Sequence, residues 1–356
     1  MDDIVVRPLS PAGDKQLHRF EFRGSGGEFF RIWIVNIALS LVTLGIYSAW
    51  AKVRTRRYFY GNTFVAGHGF DYHASPVRIL IGRIIALALF GVYNLLLGIS
   101  PFALIPAMVL LGAAIPWFIV SSRRFNARNT SYRNVRFNFS GTYGGAFKAY
   151  IAWPFAGALT LGGLMPLAHR AQDYYYINNH AFGGKRFATV FPGWSIYKVY
   201  LLALLLFLGL VVGTLAFLLL LSPFADSAGG FGAGVSFAGM IAILIIMPGW
   251  LIIVNYVRAA GLVLALENTA LDNRHTLQSE IEPGSLVWIM TSNVFLILIT
   301  FGLFYPWARV RAAHYMADHL SLLAASNLDE FTSETFATQG AIGEEIAGFF
   351  DYDIGL

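Results

Sequence analysis

Seven apolar stretches divide the chain, at 29–50, 77–98, 102–120, 146–168, 199–221, 237–257 and 286–307. Each is close to the ~20 residues that a helix needs to cross a bilayer core. The connections between them differ in charge. Residues 51–78 carry Lys52, Arg54, Arg56, Arg57 and Arg78; 121–137 carry Arg123, Arg124, Arg128, Arg133 and Arg136; 169–198 carry Arg170, Lys185, Arg186 and Lys198. Residues 99–101 and 222–236 carry no Lys or Arg. Basic loops are retained in the cytoplasm, so the first three connections face inward and the last two outward. Seven full crossings contradict this, because the connections before and after the fourth stretch are both basic yet would lie on opposite faces.

Internal repetition offers a way out. Thirteen residues between 20 and 70 recur 117 positions later, among them Phe20, Phe22, Thr43, Gly45, Tyr58 and Asn62 as Phe137, Phe139, Thr160, Gly162, Tyr175 and Asn179. Asn36, Thr43, Gly45, Ala51 and Tyr58 return again 257 positions on as Asn293, Thr300, Gly302, Ala308 and Tyr315. The glycines fall mid-stretch where a helix prefers Ala, and Pro166 and Pro306 follow two of them, so the helix breaks there. Re-entrant hairpins that enter and leave on the cytoplasmic side reconcile the charges, provided protein or water shields the broken backbone. The competing reading is a full crossing with an interfacial elbow. Segments 58–73 and 174–191 alternate aromatic and small residues around glycines and read as short β-hairpins.

The predicted architecture is an all-α polytopic membrane protein with minor cytoplasmic β hairpins. Three copies of a strand, apolar hairpin and basic aromatic element, at about 20–73, 137–190 and 277–320, are separated by two transmembrane helix pairs. Residues 1–28 lack the apolar core of a signal peptide and form a cytoplasmic N-terminal segment, 29–311 the membrane domain, and 312–356 an acidic tail.

Composition narrows the class. The 356 residues are 56% hydrophobic and 13% charged, with a mean hydropathy of +0.59, which excludes a soluble domain. Zero cysteines exclude disulfides, thiolate metal sites and cysteine catalysis. All 25 Lys and Arg fall in residues 1–311 with 12 of the 20 acids, leaving a body of +13 and a tail of −8. Within the tail, 326–340 reads as a linker. Residues 341–356 either dock on Arg123–Arg136 or stay solvated.

Candidate chemistry is polar rather than catalytic. Asn36, Asn94, Asn255 and Asn293 lie in apolar stretches and must bond between helices or line a polar cavity. Arg83 either snorkels to the membrane edge or holds an anion. Lys52, Arg54, Arg56, Arg57, Arg123, Arg124, Arg128, Arg309 and Arg311 interleave with aromatic residues beside the membrane. They read as contacts to anionic phospholipid headgroups, at about 1 kcal/mol per basic side chain, rather than to nucleic acid. His68, Asp71 and His73 have metal-like spacing, but Lys185, Ala188 and Val190 stand at the matching places of the second copy. That cluster, like His314, Asp318 and His319, reads as solvated polar surface, so neither a metal nor any other cofactor is expected. Ser25 and Glu28 have capping-box spacing. No nucleophile–base pair survives, which argues against an enzyme, and no carboxylate sits in the apolar core of a stretch, which argues against a proton- or sodium-coupled pump. Two readings remain: a transporter or channel-like protein for lipid or a small amphipathic or anionic solute, or a non-catalytic scaffold or sensor of anionic lipid.

The motifs FRGSGGEFFRIWIVN, TLGIYSAWAKVRTRRYFYGNT, GFDYHASP, NTSYRNVRF, PWARVRAAHY and GEEIAGFFDYDIGL are spaced over the whole chain. On these motifs the sequence resembles the bacterial YjgN-like inner-membrane family, a family of unknown function. The resemblance implies a multi-pass protein of the bacterial inner membrane and carries over no catalytic or ligand residue.

Overall fold

The computed structural model describes residues 15–336 apart from 100, 101, 103 and 228–230. The acidic segment 341–356, with its expected docking, lies outside the described residues.

Strand, two helical arms and strand follow one another five times. The first unit is β1 (Gln16–Phe22), α1 (Gly26–Val42), α2 (Ser48–Gly61) and β2 (Thr63–Val65); the second is β3 (His68–Tyr72), α3 (Pro76–Ile99), α4 (Leu104–Arg128) and β4 (Thr130–Tyr132). In the third, β5 (Val135–Phe139) leads into α5 (Tyr143–Phe147), a π turn at Lys148–Ala152 and α6 (Trp153–Leu159), which return through α7 (Met165–Asn178) to β6 (His180–Phe182). The fourth holds β7 (Lys185–Thr189), α8 (Gly193–Ser227), α9 (Phe231–Glu267) and β8 (Thr269–Leu271). The fifth holds β9 (His275–Ser279), α10 (Pro283–Ile299), α11 (Tyr305–Asp318) and β10 (Leu320–Ala324). Residues 312–324, which the charge boundary assigns to the tail, are therefore the end of α11 and β10.

The ten strands close into one antiparallel barrel, in the order β1-β10-β9-β8-β7-β6-β5-β4-β3-β2. This corrects the all-α expectation with its minor hairpins: the β component is a single closed body from which every helix pair departs. The hairpins expected at 58–73 and 174–191 are present as β2–β3 and β6–β7; their closure into a barrel escaped the sequence pattern because most strands are three to five residues long, too short for a period-two signal. The seam is also maximally non-local, with Gln16 opposite Ala324. An isolated hairpin of this size is marginal in water; closure pairs every strand on both sides and removes the edges.

One register recurs around the ring. Phe20 faces Val65, Phe70 faces Tyr132, Phe137 faces Phe182, Phe187 faces Leu271 and Leu277 faces Leu322. These side chains form an apolar belt across the lumen. Two residues nearer the helices, Thr63, Thr130, His180, Thr269 and Leu320 ring the barrel mouth. Each second helix ends on a matching joint: Asn62, Asn129, Asn179 and Asn268 donate Nδ2 to the carbonyls of Tyr58, Phe125, Tyr175 and Leu264, all at 2.8 Å, and His319 Nδ1 donates to Tyr315 at 2.9 Å. These bonds satisfy carbonyls that the helix end would otherwise leave open.

Three hairpins share one turn. Leu44, Leu161 and Phe301 adopt φ of 50, 51 and 50°, and Gly45, Gly162 and Gly302 follow at 89, 93 and 92°. Thr43, Thr160 and Thr300 each donate Oγ1 to the carbonyl four residues back and accept the amide four residues on, from Tyr47, Leu164 and Phe304. At the opposite end of these hairpins, Tyr58, Tyr175 and Tyr315 donate their hydroxyls to the entry-loop carbonyls of Ser25, Thr142 and Glu282. The Ser25–Glu28 capping box is present at the start of α1. The repeated Thr, Gly and Tyr thus fix the tip and the base of each short hairpin.

The five helical arms pack side by side into a ring: α1 against α11, α2 against α3, α4 against α5, α7 against α8, and α9 against α10. Among the described residues, three helical segments are long and apolar enough to cross a membrane, Pro76–Leu96, Gly193–Leu220 and Ala238–Glu267. At the far end of the barrel, residues 328–336 are helical (α12), in the segment that composition reads as a linker. Phe331 inserts beside Val65, Tyr132, Val135, Phe182 and Leu271, and Asp329 pairs with Arg133 of the β4–β5 turn. α12 therefore caps the lumen.

His275 is fully buried under this cap, 4.4 Å from the ring of Phe331. Its Nδ1 accepts the Ala325 amide at 3.3 Å, while Nε2 has no partner. Burial holds its imidazole below the usual histidine range, opposed by Asp272 and reinforced by Arg274 and Lys185. The unfolded ring takes up its proton near pH 6.5 and the folded ring does so lower, so cap stability is present above about pH 6.5 and falls as the pH drops below it. Proteolysis within 325–336 is expected to rise between pH 7.5 and 5.5, with His275→Gln flattening the response. Phe331→Ala should cost about 3 kcal/mol in thermal or chemical unfolding.

Candidate functional site

The sequence-predicted polar residues separate into two groups. Some are consumed by the scaffold. Arg56 donates Nη1 to the Tyr72 hydroxyl at 2.7 Å and also to Asn126 Oδ1, and Arg57 Nε donates to the Tyr72 carbonyl at 3.1 Å. Asn255 donates to Thr291 Oγ1 at 3.1 Å, joining α9 to α10. Asn94 bonds its own helix, to the Phe90 carbonyl at 2.7 Å. Arg124 and Arg128 are half-buried on α4, and Arg54 is exposed on α2. Arg83 reaches across from α3 to Ser48 Oγ beside the first hairpin turn, so its charge is directed into the protein.

Asn36, Lys52 and Arg309, together with one side of Arg56, line an open groove of about 900 Å³ between the first and fifth hairpins. It runs from the turn at Gly45, past Ser40, Ser48 and Asn36, to Lys52, Thr55, Arg56 and Arg309. No carboxylate is among the described residues that line it. Arg309 lies with its guanidinium 5.1 Å from the Phe59 ring centroid. A concave strip with three cations and several small hydroxyls can hold an anionic oxygen-rich group by charge-assisted hydrogen bonds.

Asn36 marks the groove as incomplete. It is 4% exposed and neither its Oδ1 nor its Nδ2 has a hydrogen-bond partner. Asn293 occupies the matching place in the fifth hairpin and has a partner at both amide atoms: Nδ2 donates to the Ala308 carbonyl at 3.1 Å and Oδ1 accepts from Arg311 Nη1 at 3.4 Å. Arg311 is held by Ser292 Oγ at 2.9 Å. In the first hairpin Val35 replaces that serine, and the matching Arg54 turns outward.

A second concavity lies at the barrel mouth, where Arg123 stands 4.4 Å over the Tyr176 ring beside Asn126 and His180. Arg123, expected among the headgroup-contacting cations, stands here with Asn126 and His180, two residues that no sequence motif singles out. The signal available was their proximity to the Asn129 and Asn179 joints. The metal-like spacing does not converge: His73 Nε2 bonds Ser131 Oγ at 2.8 Å, and His68 Nδ1 accepts from Arg133 at 3.0 Å. His314 donates to the Gly24 carbonyl at 2.9 Å.

The two asparagines should respond oppositely to the same change. Asn293→Leu removes the amide's bonds to the Ala308 carbonyl and to Arg311 and is expected to cost about 1–3 kcal/mol. Asn36→Leu removes an amide with no protein partner and should be neutral or stabilising in thermal unfolding. Equal losses would contradict the asymmetry.

Residues 17–349 match the family described as bacterial protein of unknown function (DUF898). The inner membrane protein YjgN of Salmonella typhimurium (strain LT2) is 24% identical over 370 residues, covering 90% of this chain and 92% of the relative. The inner membrane proteins YjgN of Escherichia coli O157:H7 and of Escherichia coli K12 are each 29% identical over 152 residues, covering 42% of this chain and 38% of the relative. No solved structure matches the chain. Its apolar helices and these relatives make it an inner-membrane protein, and it belongs to the DUF898 family of bacterial proteins.

Proposed function

We propose that this protein is a non-enzymatic, transporter-class protein that handles anionic phospholipid, with the groove between the first and fifth hairpins as the path of the headgroup. The carboxylate-free groove lined by Lys52, Arg56 and Arg309 carries the reading. Because each helical arm leaves and rejoins the same barrel, all its ends share one side of the membrane, and their Lys and Arg favour the cytoplasm. On this reading α3–α4 and α8–α9 cross and return, while the three short hairpins are re-entrant.

Depth supports the re-entrant assignment. Lys52 lies about 10 Å of helix beyond Gly45, at 1.5 Å per residue. Were the turn at the far interface of a ~30 Å core, Lys52, Arg54 and Arg56 would all sit in hydrocarbon. A turn near mid-bilayer instead puts Arg56 at headgroup level and Lys52 about 5 Å below it, within reach of a snorkelling side chain, and leaves Leu44, Leu161 and Phe301, 95–100% exposed, among acyl chains. The groove then offers polar lining through half the membrane, which lowers the cost of moving a charged headgroup. The scaffold or sensor alternative draws on the capped lumen, which leaves no route along the barrel axis, and it predicts lipid binding without movement.

Liposomes containing the protein should exchange fluorescent phosphatidylglycerol between leaflets faster than protein-free liposomes, and Lys52→Ala with Arg309→Ala should remove most of the gain. No acceleration over protein-free liposomes would overturn transport. Single cysteines at Asn62 and Asn179 in this cysteine-free chain are expected to label only from the cytoplasm; periplasmic labelling would overturn the topology.

A further inference from the structure

Ten strands enclose a wider lumen than eight, and eight already suffice for an interior filled by side chains or by one small ligand. The capped half of this lumen is filled by the aromatic belt and by Phe331 from α12. The half nearest the helices is not. Two cavities of about 340 and 320 Å³ lie there, sharing Tyr60 and Phe70 as a common wall. Their size is that of small-molecule pockets.

The two cavities differ in chemistry along one direction. The first is walled almost wholly by apolar groups, including Phe20, Phe59, Met316 and Leu320. The second adds Arg123, Asn126 and His180 to a wall of Phe137, Phe187 and Leu277. No carboxylate is among the described residues lining either, and Arg56, bonded to Asn126, brings a second cation to the same rim. An apolar void has too few polar partners to hold water and forfeits dispersion contacts while empty. Its complement is an apolar chain ending in an anion.

We propose that the barrel mouth binds a single-chain amphiphile with an acidic head, the head at Arg123 and the chain within the two cavities. A fatty acid and a lysophospholipid share this chemistry. Of the groove between the first and fifth hairpins the site shares only Arg56, and it stands whether or not lipid moves there.

The test uses the full chain in nanodiscs of uncharged phosphatidylcholine, because detergent is itself a single-chain amphiphile. Dodecanoate should bind saturably and raise the unfolding temperature, with dodecanol about tenfold weaker for want of the charge-assisted contact. Arg123→Gln should bring dodecanoate down to the level of dodecanol. Leu277→Trp, which fills the second cavity, should weaken both; Ala313→Leu in the first cavity is the alternative if that variant does not fold. A diazirine-labelled fatty acid should crosslink in the unsubstituted protein to β3, β5 and β9. Displacement by lysophosphatidate would identify the other source of the same chemistry. Equal affinity for acid and alcohol, or crosslinks confined to the outer faces of the helices, would overturn the site.

Discussion

The pairing of β1 with β10 closes the barrel, and that closure constrains everything else in the molecule. Once Gln16 sits opposite Ala324, each helical arm is obliged to start and finish on one ring. Crossings are then added in pairs, and the basic connections collect on one face. The conflict between a basic loop before the fourth apolar stretch and another after it disappears, since both are β-turn segments of the same barrel. Closure also explains how such short strands persist. Three-residue strands give few ladder bonds, but each is paired on both sides and contributes one side chain to a shared apolar belt.

Local chemistry then fixes what leaves the ring. The Asn or His at the end of each second helix turns the chain into a strand, and the Thr, Leu or Phe, and Gly turn reverses the short arms. Only glycine tolerates the φ near +90° at that turn without strain. The two long arms reach further, α8 and α9 running 35 and 37 residues. The same plan thus yields arms of two depths on one base. The asymmetry that matters chemically is smaller still: Val35 in place of the serine at 292 releases an arginine, and an asparagine that closes one hairpin is left open in another.

Much of this was legible in the sequence, and the losses have physical causes. The recurrences at 117 and 257 positions mark the first, third and fifth units because those share the turn threonine and glycine and the tyrosine that closes the base. The second and fourth units have Phe125 and Leu264 where Tyr58 stands, so identity fades although the joint is kept. Segment 58–73 is the hairpin that its pattern suggests, but it does not belong to one copy: β2 closes the first unit and β3 opens the second. The Asn-Thr pairs at 62, 129 and 268 held the missing signal. The groove was half visible: its cations stood out by charge, but the orphaned state of Asn36 depends on a partner 257 residues away and on the rotation of Arg54, neither of which has a sequence signature.

The central claim is that the chain's two ends meet in one closed barrel. The most direct measurement is a crosslink between Leu17→Cys and Leu323→Cys, residues directly opposite on β1 and β10, in a chain with no other cysteine. Cα atoms of facing antiparallel residues lie about 4.5–5.5 Å apart, within disulfide range. The account predicts efficient intramolecular disulfide formation in native membranes, with little in a control pair joining Leu17→Cys to Ser131→Cys. Absence of the 17–323 disulfide under oxidation, with both thiols reactive, would contradict the closed barrel.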